Sequence, residues 1–90
     1  MIMLNNYNSS ELLVNRIKTD GNDKLLHVNR ANGKRVNGWV RVSEAVTLTD
    51  TRGDTMSWDS MKDGIYYTIK IEEHNGRTRA TIFEEMRLCV

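Results

Sequence analysis

The sequence has one cysteine and no proline. The first shortage bears on the cellular compartment, and the second bears on how the edges of a sheet are protected. Cys89 alone cannot form an intramolecular disulfide, whereas small secreted domains usually depend on several such bridges. We therefore expect a reducing compartment, the cytoplasm. Without proline, the edge strands of any sheet must be protected by charge or by bulges, or they must pair with another chain. Self-association through a strand edge is thus one expectation.

Long apolar runs and an excess of one charge are missing as well. No apolar stretch approaches the roughly 18 residues that a membrane-spanning helix needs, so we expect no membrane association. The net charge of +1 gives no overall reason to expect nucleic acid as a partner. At 39% hydrophobic residues the chain is too apolar to be disordered. Its 90 residues suit one domain, residues 1–90, and not two separate cores.

Residue types that carry catalysis or bind metals are scarce. His27 and His74 are the only histidines of the sequence, and neither has a nucleophile at a recognisable spacing. One cysteine and two distant histidines do not make a cysteine-rich zinc site. The sequence therefore predicts a protein that is not an enzyme and that has no catalytic residues, metal or cofactor.

Turn signals recur along the chain, and the runs between them are rich in Val, Ile, Thr, Tyr and Leu. This pattern predicts a mainly β domain, an antiparallel barrel or strongly twisted sheet of about five or six strands, of SH3-like or OB-like size. One short N-terminal helix is an alternative for part of the chain. The turn signals are Asp20-Gly21-Asn22, Asn32-Gly33, Arg52-Gly53-Asp54, Asp63-Gly64 and Asn75-Gly76.

Residues 65–90 show the clearest hairpin pattern, because apolar and polar residues alternate on both sides of Asn75-Gly76. Glu84 is the exception, since it falls on the apolar face opposite Tyr67. Either a bulge near Phe83 turns Glu84 outward, or its carboxylate bonds to the Tyr67 phenol. The expected pairs are Ile71 with Ala80, Ile69 with Ile82, Glu72 with Arg79, Lys70 with Thr81, and Ile65 with Met86.

A second hairpin surrounds Asn32-Gly33. A three-residue loop would pair Val28 with Val36 and Leu26 with Gly38. The apolar parity then continues through Val40, Val42, Val46 and Leu48. We therefore expect residues 35–49 to form one long strand, bent near Ser43-Glu44.

Residues 9–21 fit two structures. Ser9-Ser10-Glu11 could cap a helix that ends at Gly21. The alternative is a strand that pairs Val14 with Val28 and Ile17 with Leu25, and we prefer the strand. Residues 56–63 fit either a helical turn or a loop.

The charges are distributed unevenly along the chain. Residues 24–42 contain five basic residues and no acidic one, while residues 43–73 contain seven acidic and three basic residues. The near-zero net charge thus conceals a basic segment followed by an acidic one. Strand alternation would place Leu26, Val28, Val36 and Val40 on one face of the basic hairpin. The other face would carry Leu25, His27, Asn29, Arg35, Asn37, Trp39 and Arg41.

Three interpretations of this second face compete. Trp39, Leu25 and Ile17 could form a second core layer, capped by Trp58 or by the N-terminal segment, because large aromatic residues are usually buried. A protein-docking surface is the second interpretation, since Trp and Arg dominate interface energies. The third is nucleic-acid binding, with bases stacked on Trp39 and phosphates held by arginines. We rank it below protein binding, because the acidic residues of 43–73 would repel a nucleic-acid backbone.

The sequence therefore predicts a non-catalytic binding module whose basic hairpin, residues 24–42, contacts a protein partner. Its size suits a small regulator or inhibitor of a larger macromolecule, such as a phage accessory protein. A nucleic-acid-binding β-barrel that uses the same face is the alternative. The predicted partner-binding residues are Arg30, Lys34, Arg35, Trp39, Arg41, Leu25 and His27.

Overall fold

The computed structural model describes residues 2–43 and 46–86. These residues form one open sheet with the strand order β1-β4-β3-β2-β7-β8-β5-β6. Two short 3-10 helices, Leu4–Tyr7 and Trp58–Ser60, lie outside the sheet. The strands are β1 (Ile2–Met3), β2 (Ser10–Asp20), β3 (Asp23–Ala31), β4 (Lys34–Val42), β5 (Thr47–Thr49), β6 (Thr55–Met56), β7 (Tyr66–His74) and β8 (Arg77–Met86).

The mainly β class is confirmed, and its finer details are not. The described residues give eight strands rather than five or six, and the sheet does not close into a barrel. The helix alternative for residues 9–21 is wrong, because β2 occupies Ser10–Asp20. Its alternating exposed and buried side chains fit a strand with one face on the core.

The β2–β3 hairpin shows how one extra residue changes a register. Val14 lies opposite Val28, as predicted, but Ile17 lies opposite Leu26 and not Leu25. The register shifts between Val14 and Arg16, where Asn15 is an additional residue in β2. Such a bulge moves every later pair along by one position.

In the β3–β4 hairpin, two further predicted pairs, Val28 with Val36 and Leu26 with Gly38, are wrong. Asn32 and Gly33 have φ angles of 52° and 80°, the geometry of a two-residue turn rather than a three-residue loop. Leu26 therefore lies opposite Val40, and Val28 lies opposite Gly38. A bulge between these pairs and the turn restores the apolar face that the sequence predicts.

The β7–β8 hairpin follows the predicted register near its turn. Four expected pairs are observed: Ile71 with Ala80, Ile69 with Ile82, Glu72 with Arg79, and Lys70 with Thr81.

Further from the turn, Phe83 is an additional residue in β8, so Glu84 lies opposite Thr68 on the other face. The bulge alternative is thus confirmed, and the Tyr67 hydroxyl instead accepts a bond from the Lys62 backbone N–H at 2.8 Å. The same shift places Tyr66, not Ile65, opposite Met86.

The single long strand expected over residues 35–49 is wrong. β4 ends at Val42, and Thr47–Thr49 pairs with β8 on the far side of the sheet. The bend expected at Ser43-Glu44 involves Glu44, which lies outside the described residues, as do Leu88, Cys89 and Val90. No helix in the described part of the chain has the length and apolar character to cross a membrane.

The core lies on one face of the sheet and is shared by strands from both ends of the chain. Leu12 of β2 lies between Ala31 of β3 and Ile69 of β7, so it joins the two hairpins. Each fully buried aliphatic side chain of this kind contributes about 1.5–3 kcal/mol. The side chains with almost no exposure are Leu4, Leu12, Val14, Leu26, Val28, Val40, Leu48, Ile69 and Ile71.

Candidate binding surface

The surface opposite the core on β2, β3 and β4, called the outer face below, carries the side chains that the sequence singled out. Cross-strand pairing places His27 beside Trp39 and Leu25 beside Arg41. The structure therefore brings these four predicted residues together. The outer face consists of Leu13, Arg16, Lys18, Leu25, His27, Arg30, Arg35, Trp39 and Arg41.

Trp39 is half-buried and is held by two neighbours on the outer face. The edge of the His27 ring meets it at a centroid distance of 5.2 Å and an angle of 62°. The Lys18 ammonium lies 4.3 Å from the centroid of the indole ring. A cation in this position is worth about 0.5–1 kcal/mol at an exposed site. These two contacts restrain the orientation of the indole.

The second core layer suggested for Trp39 does not form as expected. Ile17 lies opposite Leu26 and packs against the main core. Trp58 also packs there, and its Nε1 donates to the Val46 carbonyl at 3.0 Å. Leu25 lies on the outer face, as Trp39 does. It is 5% exposed and does not belong to the main core cluster.

Arg41 is occupied by two carboxylates within the molecule. Its guanidinium bonds to Asp20 at 2.5 Å and to Asp23 at 2.9 Å. Asp20 and Asp23 face each other across the β2–β3 turn, so Arg41 holds the end of that hairpin together. These hydrogen bonds, first to Asp20 and then to Asp23, raise the pKa of Arg41 above its ordinary value.

The acidic segment also delivers carboxylates to basic residues. Asp63 Oδ1 accepts bonds from Arg16 Nε at 2.8 Å and from the Ile17 backbone N–H at 3.0 Å. The Arg16 bond, followed by the Ile17 bond, lowers the pKa of Asp63. Asp59 pairs with Lys24 at 2.5 Å. Lys24–Asp59 thus joins the basic segment, residues 24–42, to the acidic segment, residues 43–73, whereas Asp63 pairs with an arginine that precedes the basic segment.

Three of the predicted partner-binding cations are exposed to solvent. Arg30, Lys34 and Arg35 are exposed beside the Asn32-Gly33 turn, and within residues 2–43 and 46–86 none of them takes part in an ion pair. Arg30 donates only to the Gly33 carbonyl, at 3.4 Å. The basic surface is thus smaller than the sequence suggests and lies at the end of the β3–β4 hairpin.

A polar hollow adjoins these cations, and its centre is His27. Nδ1 of the ring lies 2.9 Å from Asn15 Oδ1 and 3.0 Å from Asn29 Oδ1. Nε2 lies 3.1 Å from Asn37 Oδ1. Arg30 and Arg35 complete the lining of a hollow of about 360 Å³, called the His27 hollow below.

Strand alternation in the sequence places Asn29 and Asn37 on this face, but it predicts neither the position of Asn15 nor the hollow. A signal was present, because asparagine is disfavoured in strands and all three lie inside strand patterns. Asparagine within a strand marks a place where the backbone departs from regular pairing.

The described residues contain no group of three or more His, Cys, Asp or Glu side chains placed to hold a metal ion. His74 is exposed next to the β7–β8 turn, far along the chain from His27.

Comparisons of the chain with protein-family models, with curated proteins and with solved structures found no match.

Proposed function

We propose that this protein is a non-catalytic binding module, a small cytoplasmic regulator or inhibitor that docks on the acidic surface of a protein partner. The docking surface is the outer face of β2–β4 together with the exposed Asn32-Gly33 turn, where Lys34 lies opposite Ala31 and so on the other side of the strand from Arg35. One observation carries the proposal: the half-buried Trp39 and three exposed cations without carboxylate partners among the described residues belong to one hairpin.

Trp39 serves as the apolar anchor. Tryptophan is enriched among the residues that dominate interface energies. Because Lys18 and His27 already restrain the indole, docking costs less side-chain entropy than it would for a freely rotating ring. Leu25 is only 5% exposed, so it supports this surface from beneath and does not extend the apolar area that a partner would contact.

Arg30, Lys34 and Arg35 supply the attraction to an acidic partner. Exposed cations accelerate association with a surface of opposite charge and disfavour basic partners. Arg41, which the sequence assigned to the same role, instead supports the surface by holding Asp20 and Asp23.

Nucleic acid is the second candidate partner, supported by the aromatic ring and arginines of this face. The observations favour it less. The Lys18 ammonium lies over the Trp39 ring, where a base would stack. Asp20, Asp23 and Asp63 pair with Arg16 and Arg41, so these arginines do not extend the exposed cations into the long basic tract that a phosphate backbone would follow.

The proposal is tested by reversing charge at two equivalent turns. Lys34 and Arg77 each follow an Asn-Gly turn, and both are exposed. We expect Lys34→Glu to weaken binding of a captured partner about tenfold, which corresponds to about 1.4 kcal/mol. Arg77→Glu makes the same charge change on the other hairpin and should leave binding unchanged. Affinity capture from native lysate, followed by titration of the purified partner, measures the difference.

Trp39→Ala and nuclease treatment complete this test. Trp39→Ala should weaken the complex while leaving the unfolding midpoint nearly unchanged. A loss of about 3 kcal/mol or more in unfolding free energy would mean that Trp39 is a core residue, and the docking proposal would fail. Capture that disappears after nuclease digestion would favour the nucleic-acid alternative.

A further inference from the structure

Three backbone irregularities meet at the His27 hollow. Asn15 is an additional residue in β2, and Asn29 is an additional residue in β3 relative to β2. Asn37 belongs to the bulged part of β4 and has a φ of 54°. Bulges re-aim side chains and are concentrated near functional sites. Here three strands each depart from regular pairing, and each departure brings an amide to the same imidazole.

The chemistry of the hollow is dominated by hydrogen-bond donors. The Oδ1 atoms of the three asparagines lie beside the His27 ring nitrogens, and each amide also carries an Nδ2 group with two N–H donors. Guanidinium groups only donate, and Arg30 and Arg35 add two of them. No carboxylate is among the residues that line the hollow. Several donors and excess positive charge favour an oxyanion as ligand.

The exposure of these residues indicates how a ligand would enter. Asn15, His27 and Asn29 are partly buried and form the floor, whereas Asn37, Arg30 and Arg35 are exposed at the rim. A group that enters from solvent meets the guanidinium groups and Asn37 first, and the other two amides below them. This arrangement suits a terminal group of a ligand better than a polymer backbone that passes across the hollow.

We propose that the His27 hollow binds a phosphate monoester group. A monoester carries a charge of about −1.5 to −2 at neutral pH and three terminal oxygens. A carboxylate has only two oxygens for the five donor residues, and a diester has only two terminal oxygens and must leave the hollow on both sides. The ester is carried by a small molecule or by a phosphorylated side chain. This site adds a ligand class to the outer face and does not require the protein docking proposed above.

An NMR titration of the isotope-labelled protein tests the inference. The probes are inorganic phosphate, O-phosphoserine, a phosphoserine peptide and dimethyl phosphate. We expect the first three to shift the side-chain amide signals of Asn15, Asn29 and Asn37 with saturation, and dimethyl phosphate to bind at least about tenfold more weakly. A peptide that binds at least tenfold more tightly than O-phosphoserine identifies a phosphorylated side chain as the source. Equal affinities identify a small ester.

Matched variants separate a built site from general attraction between charges. Arg35→Gln should weaken phosphate binding about tenfold, because it removes a guanidinium at the rim. Asn37→Gly should weaken it as well while keeping the fold, since glycine adopts the positive φ at this position. Lys34→Gln removes a neighbouring charge that does not line the hollow, and should leave phosphate affinity within about twofold.

Three results would overturn the inference: amide signals that do not saturate, equal losses from Lys34→Gln and Arg35→Gln, or equal binding of dimethyl phosphate. Failure of this site would not decide the docking proposal, since Lys34→Glu and Trp39→Ala test that proposal without removing a residue that lines the hollow.

Discussion

Among single residues, Asp63 joins two segments that are far apart in the sequence. Its carboxylate bonds to Arg16 and to the backbone of Ile17, although it follows β6 and the second 3-10 helix in the chain. It therefore attaches the acidic segment to the outer part of β2, which extends beyond the residues paired with β7.

The depressed pKa of Asp63 predicts a pH-dependent contribution to stability. A carboxyl group whose pKa is lower in the folded state stabilises the protein above its unfolded pKa of about 3.9. That contribution is lost as the pH falls through the lower folded value. We therefore expect Asp63→Asn to reduce the urea midpoint at pH 7, and we expect the difference from the wild type to shrink near pH 2.

Glu84→Gln provides the control for this measurement. Glu84 is exposed on β8, and no ion pair in the described part of the chain includes it. Its substitution should have little effect at either pH. An Asp63→Asn deficit that is the same size at both pH values would show that the carboxylate charge is not the cause.

The sequence predicted some neighbours of the candidate surface and not others, for a physical reason. Alternation along strands is a local property, so the shared face of His27 and Trp39 could be inferred from their spacing. Compensation of charge is not local. Lys24 meets Asp59 only because the Trp58–Ser60 helix packs beside the β2–β3 turn, which no spacing in the sequence reveals.

At the scale of elements, the two Asn-Gly turns fix two of the three long hairpins of the described residues, β3–β4 and β7–β8. Asn75 and Gly76 have φ angles of 53° and 76°, so both central residues are left-handed. This geometry matches the natural twist of the strands that it joins. The turn sets the register of β7 and β8 up to Ile69 and Ile82.

Two glycine substitutions test the role of the turn. Gly76→Ala should lower the unfolding free energy by about 1 kcal/mol, because alanine is strained at a positive φ. Gly38→Ala is the matched control in β4, where the φ is not left-handed and the added Cβ would lie 3.8 Å from Val36 Cγ1. It should be neutral or stabilising by about 0.4–1 kcal/mol. Chemical denaturation measures both, and equal losses would contradict the assignment of strain to Gly76.

Register beyond the turns was harder to predict, because bulges are not part of a hydrophobic pattern. Asn15 displaces Ile17 by one partner, and Phe83 displaces Met86 in the same way. Ile17 still packs against the core, whereas Met86 is 52% exposed. The deciding factor is the local backbone of a single residue, which alternation does not specify.

At the scale of the whole molecule, the sheet consists of two parts that share one core. The first contains β1 to β4 and the second contains β5 to β8, and within the sheet they are joined by the pairing of β2 with β7. Leu12 and Val14 on one side face Ile69 and Tyr67 on the other. Because all four are buried in the same cluster, neither part can bury its apolar face alone.

We therefore expect the molecule to unfold in one cooperative transition. Trp39 reports on the first part and Trp58 on the second, so Trp58→Phe and Trp39→Phe each leave one reporter. Within either variant, urea transitions followed by fluorescence and by far-UV circular dichroism should coincide. A fluorescence transition that precedes the circular dichroism transition in one variant would show that the two parts unfold separately.

The ends of the sheet also bear on self-association, which stays a prediction. β1 and β6, the outermost strands, have two residues each, and short edges offer little backbone for pairing. Phe83 and Met86 of β8 are 51% and 52% exposed. β8 pairs with β5 only from Arg79 to Thr81, so the part of β8 that carries these side chains lies beyond the β5 pairing.

The pairing of β2 with β7 has a consequence for synthesis on the ribosome. Ser10 lies opposite Ile71 of β7, so the early hairpins emerge from the exit tunnel while β7 is still inside it. During that interval the apolar sides of Leu12 and Val14 have no cover from β7. Chaperone binding to the nascent chain should therefore be strongest after β4 emerges, and should decline once β7 has left the tunnel.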